Sequence, residues 1–317
     1  MFGFIKMIQQ FIAKLHSNKR VWFTTIFFTA TIGVILATYL LISTTNRVSN
    51  KVFAQQTKEY ELRLKSLENL LQKKLAQLSI AFLQNEKLLN AIEANDQEAL
   101  LQISNQYSSL ITEDEKNSLS IRFYVTQNRN EILRNSIIAS IQTKNDIFGV
   151  EVVQDGIFYI YLKPIIKEEQ VIGVIEVRQS IYTFNGSFET INQEHVFLLD
   201  SKMLPLLSLQ AREGVYLPVG KNYLVNNKIY NSTTLGYIGN IDYASLQKIA
   251  SGDYILTKDY YLNGVVVRDT NGADIGLIVM GQNINQDGGF IDMAKNMTNQ
   301  VVMIALGLIV SLLLFLF

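Results

Sequence analysis

Two long apolar runs flank a largely polar middle region in this sequence. The first is Val21–Ser43 and the second is Val301–Phe317, and neither contains a charged residue. A helix needs about 20 apolar residues to cross a bilayer, and it satisfies its backbone amides within its own segment. The pattern therefore predicts two transmembrane helices, with the polar residues 44–300 held between them.

The lysines and arginines around the first run predict the side on which the middle region lies. The basic residues of segment 1–20, which has no acidic residue, are Lys6, Lys14, Lys19 and Arg20. After the run, Arg47 and Lys51 are the only basic residues close to the predicted membrane boundary. Because basic residues favour the cytoplasmic side, we expect a cytoplasmic N-terminus and a periplasmic or extracellular region 44–300. The run is too long for a signal peptide and no A-x-A-like site follows it, so we expect it to be retained.

Apolar residues recur at helical spacing through the segment after the first run. Between Asn46 and Ile92 there is neither proline nor glycine, which predicts a stalk helix over residues 44–92. Such a helix either pairs with a second chain as a coiled coil or packs along its own domain. We expect both: a homodimer contact near the membrane, and packing on the domain beyond about Leu75.

A second helix is predicted from Asn95 or Asp96 to Leu110, and the pattern then changes to the alternation of strands. The strands predicted in this half are Ile121–Val125, Glu131–Arg134, Gly149–Val153, Ile157–Leu162 and Val171–Val177. Asp155–Gly156 is a strong hairpin signal, and Lys167–Gln170 is a second turn. An antiparallel sheet with attached helices indicates the α+β class.

The second half repeats part of this pattern. Its predicted elements are strands His195–Asp200, Tyr254–Thr257, Tyr260–Val267 and Asp274–Met280, helix Tyr243–Ala250 and turn Asp269–Ala273. Segments 161–181 and 261–284 both run from Tyr-Leu through a polar hairpin to Gly-aliphatic-Ile, so that Gly173 aligns with Gly276. We therefore expect two related modules in tandem.

Several short motifs of the first half resemble those of a double Cache (dCache) domain, in the variant called double Cache domain 3. They are Phe123, Leu133–Arg134, Gly149–Glu151, Gly156, Pro164–Ile165 and Gly173–Glu176. The resemblance covers Asn46–Gln300 and implies two PAS-like modules, a membrane-distal one at 93–182 and a membrane-proximal one at 183–288, before a return helix at 289–317. It implies the sensor region of a bacterial chemoreceptor, sensor histidine kinase or diguanylate cyclase, located in the bacterial inner (cytoplasmic) membrane. The segment NSIIASIQTKND after Arg134 lacks the proline and glycine usual there, so ligand identity is not carried over.

The resemblance also implies a small-molecule pocket in the distal module. The candidate ligand-binding residues are Arg122, Tyr124, Arg134, Glu151, Tyr159 and Tyr161. Arg122 and Tyr124 share one face of a strand, where arginine suits a carboxylate ligand and tyrosine gives a wall with a polar group. Alternatively, both face solvent and Arg134 pairs with a surface acid. The weaker candidates in the second module are Asp200, Arg268 and Asp269.

Composition argues against other classes of function. The chain has no cysteine and a formal net charge of zero, which disfavour a thiolate site and a nucleic-acid partner. His195 is the sole histidine outside the basic N-terminal segment, and no phosphate-binding glycine loop occurs. We therefore expect no enzyme, no cofactor and no metal. Gly288–Gly289 is interpreted as the joint before the last helix.

No sequence of the HAMP, kinase or cyclase kind lies within the chain. We expect it to be the front end of a larger receptor or a truncated product, signalling through the last helix to an absent or separate output of the chemotaxis, two-component or cyclic-di-GMP type. The alternative is an envelope protein that docks other proteins without a small ligand. A partly polar cavity in the first module would favour sensing, whereas a filled apolar core with an exposed apolar patch would favour docking.

Overall fold

The computed structural model describes residues 19–111, 118–126, 133–285 and 290–314. The helices are α1 (Lys19–Leu83), α2 (Glu86–Glu93), α3 (Gln97–Ile111), α4 (Asn135–Thr143), α5 (Asn185–Glu189), α6 (Leu209–Arg212), α7 (Ser232–Gly239), α8 (Tyr243–Ala250) and α9 (Phe290–Leu314). Short 3-10 turns follow at Ile181–Phe184 and Ser201–Leu206. Lys6 and Lys14, used to predict orientation, and the predicted joint at Gly288–Gly289 lie outside the described residues.

Two antiparallel sheets confirm the predicted α+β class. The strands are β1 (Leu119–Val125), β2 (Ile147–Val153), β3 (Gly156–Lys167), β4 (Gln170–Ser180), β5 (Glu194–Asp200), β6 (Tyr216–Val219), β7 (Tyr223–Asn226), β8 (Ile255–Leu256), β9 (Tyr260–Arg268) and β10 (Asp274–Asn283). The first sheet has the order β1-β4-β3-β2, and the second has the order β6-β7-β5-β10-β9-β8.

Among the described residues, one helix is long and apolar enough to cross a membrane. It is α1, whose stretch from Phe28 contains a window of mean hydropathy 1.6 with no buried residue. Residues 301–314 of the second apolar run are helical within α9. Residue contacts divide the chain into two units, one formed by described residues of 19–55 and 290–314 and the other by 56–285. Both sheets belong to the second unit.

The predicted end of the stalk helix at Ile92 is wrong. Helix α1 ends at Leu83, because the side chain of Asn85 accepts a hydrogen bond from the backbone N–H of Leu88 at 3.2 Å and starts α2. The next predicted start is confirmed: Asp96 accepts from the backbone N–H of Ala99 at 3.0 Å, directly before α3.

The part of α1 that packs on the sheets is longer than expected. Tyr60 and Leu64 are already buried, although the prediction placed packing only beyond about Leu75. The ring of Tyr60 lies edge-on to Tyr261 of β9, with 6.1 Å between centroids. Near the other end, Phe82 meets Phe123 of β1 in the same way. Helix α1 therefore contacts both sheets along their inner faces.

The predicted strand Glu131–Arg134 is wrong where the structure describes it, since Leu133 and Arg134 precede helix α4 instead. Residues 131–132 lie outside the described ranges. Helix α4 places Ile137 and, less completely, Ile141 on an apolar cluster of the first sheet. The spacing of four between these residues is that of one helix face. The other members of this cluster are Tyr124, Leu133, Ile147, Phe158, Ile160, Leu162 and Val174.

The two sheets share a core topology, as the sequence repeat predicts. In each sheet, the last strand in sequence lies between the first strand and the strand that precedes it in the chain. These orders are β1-β4-β3 and β5-β10-β9. The aligned glycines serve the same purpose. A Cβ at Gly173 would lie 2.7 Å from the carbonyl oxygen of Tyr124, and one at Gly276 would lie 2.3 Å from that of Leu198. Each glycine therefore allows a neighbouring strand to approach closely.

The second module contains elements that the sequence did not predict. The stretch between Asp200 and Tyr237, for which no helix or strand is predicted above, contains the β6–β7 hairpin and helix α6, and α7 begins within it. The β6–β7 hairpin extends the second sheet beyond β5. Helices α7 and α8 cover one face of that sheet, with Ile238, Leu246 and Ile249 in the core.

Candidate functional site

One face of the first sheet carries a row of polar and charged side chains. In β1, alternate residues Arg122 and Tyr124 point to this face, and the register places Arg122 opposite Glu176 of β4. Glu151 of β2 is on the same face, opposite Phe158 of β3. Phe123 points to the other face, where it meets α1.

Arg134 lies at the centre of this face, although it belongs to no strand. As the residue before α4, it directs its guanidinium onto the sheet and donates hydrogen bonds to Glu151 and Glu176. The hydroxyl of Tyr124 donates to the second oxygen of Glu176 at 2.7 Å. The side chain of Glu176 is completely buried, at 0% exposure, and that of Arg134 is 28% exposed. These four residues form one connected network, hereafter the Arg134 network.

The network fixes its own charge states. Burial works to lower the pKa of Arg134, but Glu176 and Glu151 outweigh it and hold that pKa above its usual value. Burial and then the neighbouring charge of Glu176 raise the pKa of Tyr124. Arg134 therefore stays cationic and Tyr124 stays a neutral donor. The expectation that Arg134 could pair with a surface acid is wrong, because both of its partners are buried.

A cavity of about 370 Å³ opens beside the Arg134 network. It is lined by three arginines, Arg122, Arg134 and Arg178, together with Tyr124 and other residues. The guanidinium of Arg178 is buried, donates to both oxygens of Asp155 and stacks over the ring of Phe158, 4.4 Å from the centroid. It belongs to β4, where the register sets it opposite Ser120.

Arg122 lines the cavity and forms an ion pair with Asp155, which is not itself a lining residue. Arg122 donates to Asp155 at 3.2 Å, and their side chains are 48% and 44% exposed. Burial works to raise the pKa of Asp155, but hydrogen bonds and charge from Arg178, aided by Arg122, hold it below its usual value. Asp155 therefore stays ionised beside the cavity, within reach of solvent and of the guanidinium of Arg122.

Two loops of the second module contact this region. Leu206 lines the cavity, and the backbone N–H of Ser208 donates to the carbonyl oxygen of Gln154 at 2.8 Å. In the β9–β10 turn, the hydroxyl of Thr270 donates to Glu151 at 2.6 Å. The Arg134 network is thus connected by a hydrogen bond to the hairpin that ends in β10.

Two of the predicted candidates lie elsewhere. Tyr159 and Tyr161 of β3 point to the opposite face of the sheet, because Phe158, Ile160 and Leu162 occupy the face of the cavity. The hydroxyl of Tyr159 donates to Glu68 of α1 at 3.2 Å, and that of Tyr161 donates to Asp146. The structure therefore groups Arg122, Tyr124, Arg134 and Glu151, and separates the two tyrosines from them.

Sequence reasoning missed three residues of the site: Asp155, Glu176 and Arg178. Glu176 and Arg178 interrupt an apolar strand at alternate positions, which is the period of one sheet face. That alternation was a usable signal. Asp155 was interpreted only as a turn residue, and its partner 23 positions away could not be read from local pattern.

The weaker candidates of the second module have structural partners. The side chain of Asp200 accepts from the backbone N–H of Lys202 at 2.9 Å, and that of Asp269 accepts from the backbone N–H of Asn271 at 2.8 Å. Arg268 pairs with Asp274 at 2.9 Å across the same hairpin. Among the residues that the structure describes, no group of three histidine, cysteine or acidic side chains could hold a metal ion.

No family model matches the chain, and no curated protein matches it. The extracellular domain of a histidine kinase is similar over 75% of this chain and 97% of its own, at 11% identity and a TM-score of 0.42. A domain of a sensory box/GGDEF family protein from Vibrio parahaemolyticus covers 77% of this chain and 97% of itself, at 12% identity and a TM-score of 0.39.

A third similar structure is the ligand-binding domain of the Pseudomonas fluorescens chemoreceptor CtaA in complex with L-isoleucine. It covers 80% of this chain and 98% of itself, at 11% identity and a TM-score of 0.38. These neighbours come from the classes of receptor that the sequence resemblance named. With TM-scores below 0.5, they assign neither a ligand nor a partner to this chain.

Proposed function

We propose that this chain is the sensing part of a membrane receptor, and that the arginine-lined cavity of its first module binds a small carboxylate-bearing ligand such as an amino acid or organic acid. The observation that carries this proposal is the convergence of Arg122, Arg134 and Arg178 on one cavity of about 370 Å³. Cavities of this size accommodate small metabolites, and a guanidinium binds a carboxylate by paired hydrogen bonds.

The three arginines have different tasks in this proposal. Arg134 is engaged by two glutamates and Arg178 by both oxygens of Asp155, so these two hold the cavity in shape. Arg122 is half exposed and donates one hydrogen bond to Asp155, so it offers further donors to a ligand carboxylate. The half-exposed Asp155 accepts from the ammonium group of an amino-acid ligand.

The proposed signal path runs through the hydrogen bond between Glu151 and Thr270. A ligand that shifts Arg134 changes its contact with Glu151, and so the contact of Glu151 with the β9–β10 turn. Strand β10 is followed in the chain by α9, which carries the second apolar run. A ligand can drive such a change only through its different affinity for two states, typically about 1–3 kcal/mol.

The membrane part of the proposal follows the sequence prediction. Both apolar runs cross the bilayer, the N-terminus is cytoplasmic, residues 44–300 are outside, and the signal passes through the second transmembrane helix to a separate or covalently attached output. The exposed apolar residues of α1 within 56–83 are Leu62, Leu70 and Ile80. They lie within about 80° of one another around the helix, so the stalk can pair with a second chain along this stripe.

Binding is tested on the full chain in phospholipid nanodiscs, by thermal melting against amino acids and organic acids and then by calorimetry. We expect at least one compound to raise the melting temperature and Arg122→Gln to weaken its binding about tenfold or more. Lys228→Gln, which removes an exposed positive charge from the second module, is the control and leaves binding unchanged. Equal affinities for all three proteins would refute the proposed site.

Orientation is tested with single cysteines, because the natural chain has none. We expect Asn105→Cys, exposed on α3, to react with a membrane-impermeant maleimide added to spheroplasts. Ser17→Cys, in the basic N-terminal segment, reacts only after the membrane is permeabilised. Labelling of Asn105→Cys that also requires permeabilisation would place the middle region in the cytoplasm.

Protein docking is the second candidate function, favoured by an exposed apolar pair beside the cavity. Leu206 and Leu209 are 53% and 66% exposed on the segment between β5 and β6. If no small compound binds, and Leu209→Ser alters assembly of the receptor whereas Arg122→Gln does not, docking is the better account.

A further inference from the structure

A second and larger cavity, of about 660 Å³, lies on the other face of the first sheet, between α1 and both sheets. Helix α1 contributes Glu61, Lys65 and Glu68 to its lining. Residues at this spacing of four and three lie on one face of a helix. None of the residues of the Arg134 network, nor Arg122 or Arg178, lines this cavity.

The acidic end of this cavity is formed by Glu68. Its carboxylate accepts one hydrogen bond, from the hydroxyl of Tyr159 at 3.2 Å, and among the described residues its other oxygen has no hydrogen-bond partner. Burial raises the pKa of Glu68, against the opposing effects of the Tyr159 hydroxyl and of Lys65. A half-buried carboxylate with an unused oxygen gains most from a cationic donor.

The basic residues nearby leave that position open. Lys65 is exposed and, among the described residues, forms no ion pair with Glu68, although it is one helical turn away. Arg268 pairs with Asp274 at 2.9 Å. Glu61, two turns before Glu68 on the same helix face, adds a second negative charge to the lining. The acidic groups therefore exceed the cations that can neutralise them.

The remaining walls are aromatic and aliphatic. Phe148 and Tyr159 are nearly parallel, at 9° with 6.2 Å between centroids. Val150 of β2 and Val265 and Val267 of β9 also line the cavity. Aromatic faces attract cations, and the valines bury apolar surface.

We propose that this second cavity binds a small organic amine with an apolar body. The ammonium group donates to Glu68, and the body lies between the Phe148–Tyr159 pair and the valines of β9. An anion would be repelled by Glu61 and Glu68, and a neutral apolar molecule would leave the carboxylate of Glu68 unpaired. Lys65 is the internal competitor for that carboxylate, so its removal strengthens binding.

The probe is 2-phenylethylammonium, measured by calorimetry on the full chain in nanodiscs, with the uncharged 2-phenylethanol as matched compound. We expect the ammonium to bind at least about tenfold more tightly than the alcohol. Glu68→Gln, which can still accept from Tyr159, removes this preference, whereas Lys65→Gln increases the affinity a few-fold. Glu86→Gln, an exposed change on α2, leaves both values unchanged.

Three results would overturn the proposal. These are no binding of the ammonium at millimolar concentration, equal binding of the ammonium and the alcohol, and a loss of affinity in Lys65→Gln equal to that in Glu68→Gln. Arg122→Gln separates this site from the one proposed above. If Arg122→Gln loses binding of the carboxylate ligand but keeps binding of the amine, the second cavity is intact. If Glu68→Gln loses binding of the amine but keeps binding of the carboxylate ligand, the first cavity is intact.

Discussion

The guanidinium of Arg134, at the start of α4, donates to the carboxylate of Glu176 in the middle of β4, where the glutamate side chain has no solvent exposure. The two residues are 42 positions apart in sequence. Their contact holds α4 against the sheet and keeps a buried carboxylate neutralised. Because this contact also adjoins the proposed ligand cavity, its loss affects the stability of the protein, whereas its rearrangement affects ligand binding.

Arg134→Gln is expected to destabilise the protein by roughly 3–5 kcal/mol, because it leaves Glu151 and Glu176 without their cation in a buried place. The measurement is urea unfolding of the full chain in detergent micelles. The comparison is Arg122→Gln. Because the ion pair of Arg122 is half exposed, we expect this variant to lower the free energy of unfolding by less than about 1 kcal/mol. Similar costs for the two variants would mean that the buried pair is not stabilised by Arg134.

Thr270→Val is expected to destabilise the contact between the two modules by about 1–3 kcal/mol, since Glu151 loses a donor. Thr270→Ser keeps the hydroxyl and is the matched control. The measurement is amide hydrogen exchange. We expect residues 269–273 to exchange faster in the valine variant than in the natural protein, and at the natural rate in the serine variant. Equal exchange in the two variants would contradict a role for this hydrogen bond.

Gly173→Ala and Gly276→Ala are each expected to destabilise the protein by about 1–3 kcal/mol, because the added Cβ would overlap a carbonyl oxygen of the neighbouring strand. Gly236, within α7, has no atom within 4 Å of an added Cβ. Gly236→Ala is therefore expected to stabilise α7 by about 0.5–1 kcal/mol. Urea unfolding of the three variants checks the opposite signs.

Acid is expected to destabilise the protein through His195. Burial lowers the pKa of this imidazole from its ordinary 6.5 to about 4, and its Nδ1 lies 2.8 Å from the side-chain amide of Asn185. Between these two pKa values the unfolded chain binds a proton that the folded chain does not. Stability contributed by the neutral form is therefore present above about pH 6.5 and is lost as the pH falls towards 4, by roughly 3 kcal/mol in total.

The measurement is the free energy of unfolding from pH 7.5 to 4 for the natural protein and for His195→Gln. We expect the variant to be less stable at neutral pH and to lose less stability over that range. An identical pH slope in both proteins would show that His195 is not the group responsible.

Much of the architecture could be predicted from local pattern. The Asp155–Gly156 hairpin, the start of α3 after Asp96 and the alternation of β1 depend on residues close in sequence, and each is confirmed. The correspondence of Gly173 with Gly276 was also predicted, from the repeat. These features are local because hydrogen bonds of turns and caps, and the period of a strand, join near neighbours.

Two other predictions failed, one where a distant contact decided the outcome and one where a local helix cap did. The strand predicted at Glu131–Arg134 fails at Arg134, which instead precedes helix α4, and Ile137 of that helix packs against the first sheet. The stalk helix was predicted to continue to Ile92, and a single side chain, Asn85, ends it earlier. Propensity alone does not resolve such competition between local and tertiary interactions.

By itself, the sequence determined the two apolar runs, the α+β class, the tandem repeat and the face shared by Arg122 and Tyr124. Only the tertiary structure decided that Arg134 joins Glu151 and Glu176, that Tyr159 turns instead to Glu68, and that two separate cavities result. The physical reason is range. Strand period and hydrophobicity are encoded over a few residues, whereas the partner of a buried charge depends on strand register and on where a helix packs, which bring distant residues together.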